Sequence, residues 1–272
     1  MPNLEWRSSM NSFTTLICTE PAPHVLQITL NRPAAANALN TKMGEELGAV
    51  FQKYAADPGD VRCVLFTGSG QKAFCAGGDL KERNGMTNEA WLAQHAIFER
   101  FYFAMTDFPL PIICAVNGHA FGGGLEMVLA SDFAYGVDDA KFALTETKLG
   151  IMPGGGGTQN LPRAVGPRRA KEIIFSARPF SASEAADWGV LNRICTPENL
   201  MAECLDTATT IAANGPLSIR QAKKAVQHGL QTDLTRGLWL EIEAYNRLVF
   251  TEDRLEGVRA FNEKRAPIFK GK

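Results

Sequence analysis

Apolar positions follow two alternating rhythms along roughly the first 195 residues and a single one after that. Residues 13–19 and 24–30 read as two strands around the Glu20-Pro21-Ala22-Pro23 turn, a hairpin-like opening that Asn31-Arg32-Pro33 stops. Met43, Leu47, Val50, Phe51 and Tyr54 then recur at helical spacing behind Asn40 or Thr41 as cap, and Asp57-Pro58-Gly59 ends that helix. Residues 61–67 form a short apolar run, the signature of a buried strand, whereas 68–85 are glycine-rich and aperiodic. Trp91, Leu92, His95, Phe98, Phe101, Tyr102 and Met105 mark a long helix, which Pro109 and Pro111 end before a strand over 112–116. A glycine turn at 118–124 leads into a helix over 125–130, followed by strand-like pieces at 132–135 and 141–144. A third loop, 150–157, precedes a helix over 158–165, and Pro167 is placed as the first residue of the next, through Phe175. From Pro197 to about Ala266 only helical patterns remain, broken at Gly215-Pro216, Gly229 and Thr251. The expected organisation is an α/β chain: a disordered extension over 1–12, an alternating strand–helix core over 13–196 and a helical region over 197–272, with no tandem repeat.

Composition narrows the function classes. At 45 % apolar and 21 % charged, the 272-residue chain excludes wholesale disorder and collagen-like or low-complexity classes. The 28 basic and 29 acidic residues leave a net charge of −1, which argues against broad non-specific nucleic-acid binding. No apolar run reaches the roughly 18 residues a membrane span needs. The six cysteines form no CxxC pair and read as reduced thiols of a cytoplasmic protein, mostly core filler. The opening MPNLEWRSSMNSF has no apolar core for a secretory signal, and one arginine and one glutamate make no transit peptide.

Several familiar signals fail. Gly68-Ser69-Gly70-Gln71-Lys72-Ala73 fits a dinucleotide fingerprint, but Phe74-Cys75-Ala76-Gly77-Gly78 cannot open the helix that a pyrophosphate requires. Residues 154–158 lack the lysine of a phosphate-binding loop, and no G-x-S-x-G elbow exists. The histidines at 24, 95, 119 and 228 are isolated, so they read as surface or core residues and no metal site is expected.

Three loops share one design, a glycine-rich turn after a strand: 73–80, 117–126 and 146–159. Glycine lets backbone approach a ligand and leaves amide N–H groups bare, and two such groups aimed at one point make an oxyanion hole. The amide of Gly123 also opens a helix, where the macrodipole favours negative charge. For each loop taken alone, service in tight turns and close packing is the alternative. Glu126 lies among Leu125, Met127, Val128 and Leu129, and a carboxylate desolvated there is tuned for proton transfer. Glu146 lies 20 residues on, so the two could form an acid–base pair in one cavity, with a solvated surface side chain as the alternative for either.

Taken together, the three loops in this order resemble the crotonase (enoyl-CoA hydratase/isomerase) superfamily, over essentially the whole chain. Gly78-Asp79-Leu80-Lys81-Glu82-Arg83, Glu146-Thr147-Lys148-Leu149-Gly150 and the stretch from Ala170 to Arg178 are most similar to the methylglutaconyl-CoA hydratase branch, which includes an AU-rich-RNA-binding member. The resemblance implies a spiral of ββα turns with a helical C-terminal trimerisation region, and a homotrimer or a dimer of trimers. It implies that Ala76 and Gly123 donate two N–H groups to a thioester oxygen and that Glu126 and Glu146 are the acid–base pair. Ala76, Gly77, Gly78, Asp79 and Leu80 would line the pocket for an acyl-CoA substrate, and Phe261 and Lys264 would approach a neighbour's CoA. Ala34 stands where the family often has a lysine for the CoA phosphate. The implied reaction is hydration of the 2,3 double bond of an enoyl-CoA, in fatty-acid or branched-chain amino-acid breakdown, with no cofactor beyond the CoA of the substrate. Isomerisation or another CoA-thioester lyase step is the alternative on the same fold; both glutamates together favour hydration. RNA binding is the alternative of another class. The basic clusters it would need, Arg163, Arg168, Arg169 and Lys171 with Lys223 and Lys224, read as solvated helix faces.

Overall fold

The computed structural model describes residues 13–272. The extension expected over 1–12 lies outside them. A six-stranded sheet runs in the order β1 (Leu16–Ala22), β2 (Val25–Leu30), β3 (Cys63–Gly68), β5 (Ile112–Val116), β7 (Phe133–Val137), β10 (Arg193–Cys195). A four-stranded sheet runs β4 (Ala73–Cys75), β6 (His119–Phe121), β8 (Lys141–Ala143), β9 (Phe180–Ser181). The chain visits the sheets alternately: β3 then β4, β5 then β6, β7 then β8. Helices α3 (Asn88–Thr106) and α4 (Gly123–Ala130) return it to the larger sheet after the first two visits. Each turn therefore adds one parallel strand to both sheets, the spiral of ββα turns that the sequence led us to expect.

Strands buried on both faces need continuous apolar runs. β3 and β5 meet that need, with every residue buried. Helix α1 (Thr41–Ala56) buries Met43, Leu47, Val50, Phe51 and Tyr54, the face its spacing predicts, with Phe51 against Phe66 of β3, and Asn40 Oδ1 caps it by accepting from the Met43 N–H at 3.0 Å. Phe51, Phe66, Phe74 and Phe108 interlock edge to face in the core. All six cysteines are free thiols.

The differences from expectation have local causes. β1 runs on through Pro21 to Ala22, where a turn was expected. It is an edge strand, where a proline without an N–H is tolerated at the irregularity that shifts the β1–β2 register between Thr19 and Ala22, and the reversal falls at His24, with φ +67°. Strands β4 and β6 lie inside segments read as aperiodic glycine loops. The stretch 177–196 adds β9, α7 (Ala182–Asp187) and β10. Four helices, α8 (Leu200–Ala213), α9 (Pro216–Gly229), α10 (Leu234–Val249) and α11 (Glu252–Asn262), follow, after α2 (Leu80–Arg83), α5 (Gly157–Val165) and α6 (Pro167–Ser176) earlier in the chain. No helix among the described residues is long and apolar enough to cross a membrane.

Candidate active site

The three glycine loops converge because of the smaller sheet. They follow β4, β6 and β8, which are adjacent and parallel, so all three leave the sheet at one end. That carboxyl end is where open parallel sheets bind ligands. Close approach is built in. A side chain on Gly124 would collide with the Cys75 carbonyl, and a Cβ on Gly77 would stand 2.9 Å from the Phe121 oxygen and 3.5 Å from the Gly123 nitrogen. Gly77 has φ +92° and Gly122 has φ +52°, conformations that side chains resist.

A cavity of about 570 Å³ opens between these loops and α3. Glu126, Glu146, Ala76, Gly77, Gly78, Leu80 and Gly123 all line it. Glu126 is 4 % exposed, and its Oε1 accepts from the N–H groups of Gly155 at 2.7 Å and Gly157 at 2.8 Å. Glu146 opens a 3₁₀ turn. Its Oε1 would touch a Cβ on Gly122, and its Oε2 is buried with no partner. Burial, reinforced by the charge of Glu146 and opposed by the Gly157 and Gly155 amides, pushes the Glu126 carboxyl up to about 7. Burial also raises Glu146 above the ordinary carboxylate range. Two acids, both raised by burial above the ordinary carboxylate range, thus face one space, a combination suited to proton transfer.

The backbone corrects one expectation. The Ala76 N–H, assigned to a ligand oxygen from the sequence, donates to the Ala36 carbonyl at 3.0 Å and is committed to the fold. The next residues pair with Leu39: its N–H donates to Gly77 O at 2.8 Å, and Asp79 N–H donates to Leu39 O at 2.9 Å. Successive peptides of an extended segment point to opposite sides, so the Gly78 N–H faces away from Leu39. It has no partner among the described residues. Neither has the N–H of Gly123, which opens α4 and is one of its orphan donors.

Asp79 does not line the cavity. It caps α2 through the Lys81 and Glu82 N–H groups and pairs with Arg32 at 2.9 Å. Phe261, 83 % exposed, and Lys264 lie on and after α11, away from the cavity walls of this chain. Of the basic clusters, Lys223 is held by Asp132 and the Leu110 carbonyl, and Arg169 stacks over Trp188.

For Trp91, Phe98 and Phe101 the sequence leaves core or acyl wall open, with core favoured; Trp91 and Phe98 line the cavity, and Phe101 is buried in the core. Trp91, His95, Phe98 and Tyr102 form a stripe along α3 that faces the cavity, with Arg83 beside them. The Tyr102 hydroxyl donates to the Gly123 carbonyl at 2.5 Å, and its ring packs against Gly155. The i, i+4, i+7, i+11 spacing was the available signal, but a core-facing stripe has the same spacing.

Comparisons with known proteins identify the family and the fold. The family model for enoyl-CoA hydratase/isomerase matches residues 20–272. The crystal structure of an enoyl-CoA hydratase from Bacillus anthracis superposes with a TM-score of 0.93 at 42 % identity, covering 95 % of this chain and all of that one. Bacillus subtilis YngF is 43 % identical over 94 % of this chain and 98 % of its own length. The mitochondrial methylglutaconyl-CoA hydratase of Mus musculus is 38 % identical over 91 % of this chain and 80 % of its own.

Proposed function

The chain belongs to the enoyl-CoA hydratase/isomerase family as an enzyme acting on enoyl-CoA-like thioesters, and we propose that it adds water across their 2,3 double bond. The observation that carries this reading is the pair of carboxylates, Glu126 buried and Glu146 half-buried, facing one cavity beside two unpartnered amides. The thioester oxygen sits between the N–H groups of Gly78 and Gly123. As water oxygen bonds to Cβ, one glutamate takes its proton, the π electrons move toward the carbonyl, and negative charge gathers on that oxygen. A proton delivered from the other glutamate to Cα collapses the enolate. Loss of one such amide donor typically lowers the rate by about 10²–10³, and loss of general acid–base help by about 10²–10⁴.

Glu126→Gln and Glu146→Gln are each expected to slow crotonyl-CoA hydration at least about 10²-fold while the thioester still binds. The decay of the enoyl absorbance measures the first and calorimetry the second. Full activity in both variants would end the proposal, and product NMR separates hydration from double-bond migration. Exposed apolar residues on α9, α10 and the turn between them, among them Val226, Leu230, Leu234 and Trp239, support assembly of copies of this chain through the helical tail.

A further inference from the structure

The amide assigned to the thioester oxygen sits in backbone with little of its own to hold it still. Gly77 and Gly78 carry no side chains, and Gly77 has φ +92°, so a peptide there turns freely once its hydrogen bonds to Leu39 loosen. One side chain spans that contact. Arg32 Nη1 donates to the carbonyl of Ala38, the residue before Leu39. Arg32 Nη2 donates at 2.9 Å to Oδ2 of Asp79, the residue after Gly78. A single guanidinium therefore joins the two segments at positions that flank the Leu39–Gly78 bridge. The ion pair is largely shielded, with side-chain exposures of 23 % and 10 %. The other carboxylate oxygen of Asp79 accepts from the Lys81 and Glu82 N–H groups, so the same residue also sets where α2 begins.

Arg32 is itself anchored to both sheets. Its N–H donates to Asn37 Oδ1, and its carbonyl accepts from the Asn37 N–H, both at 2.9 Å. Asn37 is fully buried, and its Nδ2 donates to Ser69 O and Ala73 O, both at 2.9 Å, where β3 ends and β4 begins. A continuous path thus runs from the sheets through Asn37 and Arg32 to Ala38, Asp79 and the Gly78 peptide. Neither Arg32 nor Asp79 lines the cavity, so the clasp acts on the reacting atoms through the backbone. It also balances a carboxylate that would otherwise stand uncompensated beside an amide placed to receive negative charge. We infer that Arg32 is a positioning residue of the oxyanion hole, clasping Ala38 to Asp79 so that the Gly78 N–H stays aimed at the thioester oxygen. The inference rests on the assignment of Gly78 above. Misplacing a reacting group by about 1 Å costs about 10²-fold in rate, and losing the donor altogether about 10²–10³.

The test compares the wild type, Arg32→Met, Arg32→Lys and Asp79→Asn in two assays. One is crotonyl-CoA hydration. The other is binding of 4-(dimethylamino)cinnamoyl-CoA, a conjugated thioester whose absorption moves to the red when its carbonyl is polarised. Arg32→Met is expected to lower kcat about 10- to 100-fold with KM little changed, and the bound probe loses most of its red shift. Arg32→Lys, a point charge without the fork, keeps part of both. Asp79→Asn moves both readouts in the same direction, and the double variant Arg32→Met/Asp79→Asn costs less than the product of the two, because they act through one clasp. The Thr41 N–H on Glu82 Oε2, at 2.9 Å, still ties α1 to α2 in every variant. If Arg32→Met does not fold, Arg32→Lys and Asp79→Asn carry the same readouts. Unchanged turnover overturns the inference, as does lost turnover with the full red shift. So does a loss confined to KM, which would assign the guanidinium to the phosphates of CoA. The parent reading fails in a different way, when the wild type itself neither hydrates crotonyl-CoA nor shifts the probe.

Discussion

Glu126→Gln is expected to stabilise the protein in mild alkali while it abolishes the proposed chemistry. The folded state raises this carboxyl from an ordinary 4.5 to about 7 through burial, aided by the charge of Glu146. Folded protein therefore holds a proton that the unfolded chain releases as the pH climbs from about 4.5 to 7. The stability carried by that proton is complete below pH 4.5 and is lost as the pH rises through 7. A displacement from 4.5 to about 7, at about 1.4 kcal/mol per pH unit, comes to about 3 kcal/mol. Glutamine is nearly isosteric and has no proton to lose. Its Oε1 can still accept from Gly155 and Gly157. Urea unfolding at pH 5 and pH 8 isolates the effect, because every other titrating group is common to both proteins. Between those pH values the wild type should lose about 2 to 3 kcal/mol more than the variant, leaving Glu126→Gln the more stable at pH 8. The same pH dependence in both proteins would refute the claim that this carboxyl is held in a desolvated, acid-facing site. A stability gain joined to a loss of turnover is the expected mark of a group kept at a thermodynamic disadvantage for its chemistry.

Tyr102→Phe deletes the hydroxyl on the Gly123 carbonyl but keeps the ring beside Gly155; kcat for crotonyl-CoA should fall about tenfold with KM little changed, and an effect confined to KM contradicts this role. Gly124→Ala forces a methyl into the Cys75 carbonyl and should lower stability by about 3 kcal/mol in urea or thermal unfolding. Burial opposes ionisation of Asp79, but the Arg32 guanidinium and the α2 amides outweigh it and hold its carboxyl below the usual range. The stability it contributes is present above the unfolded carboxylate pKa and is lost as pH falls through the lower folded value. Asp79→Asn should flatten the acid limb of the stability profile, and an unaltered limb counts against the pairing.

The long elements were legible because their patterns repeat. The all-apolar runs of β3 and β5 and the helical spacing in α1 and α3 each offer several consistent positions. Strands β4, β6 and β8 have three residues each, too few for a period, and they exist through their pairing with one another. Yet these three strands aim the loops at one cavity, so the elements that make the site were the least visible. Glu126 was recoverable because a carboxyl among apolar residues is itself a signal; Glu146, between Thr145 and Thr147, has no such signal and was singled out by the resemblance, and the two do share the cavity.

The Ala76 assignment fails for a different reason. An amide N–H has no side chain to mark it, and within Ala76-Gly77-Gly78-Asp79 the free donor is fixed by the register against Leu39. A slip of one residue in that register would exchange which N–H faces the cavity and which faces the fold. Glycines narrow the choice to a few peptides, since only they permit the close approach of the loops at Gly77, Gly122 and Gly124. The remaining selection is made by a contact between segments some 39 residues apart, Leu39 with Gly78. Arg83 shows the same division. Its charge was visible in the sequence, but its lack of an acidic partner depends on Gln94 and Thr41 drawing Glu82 away. A motif therefore locates the groups able to act, and tertiary pairing determines which of them remain uncommitted and available to a ligand.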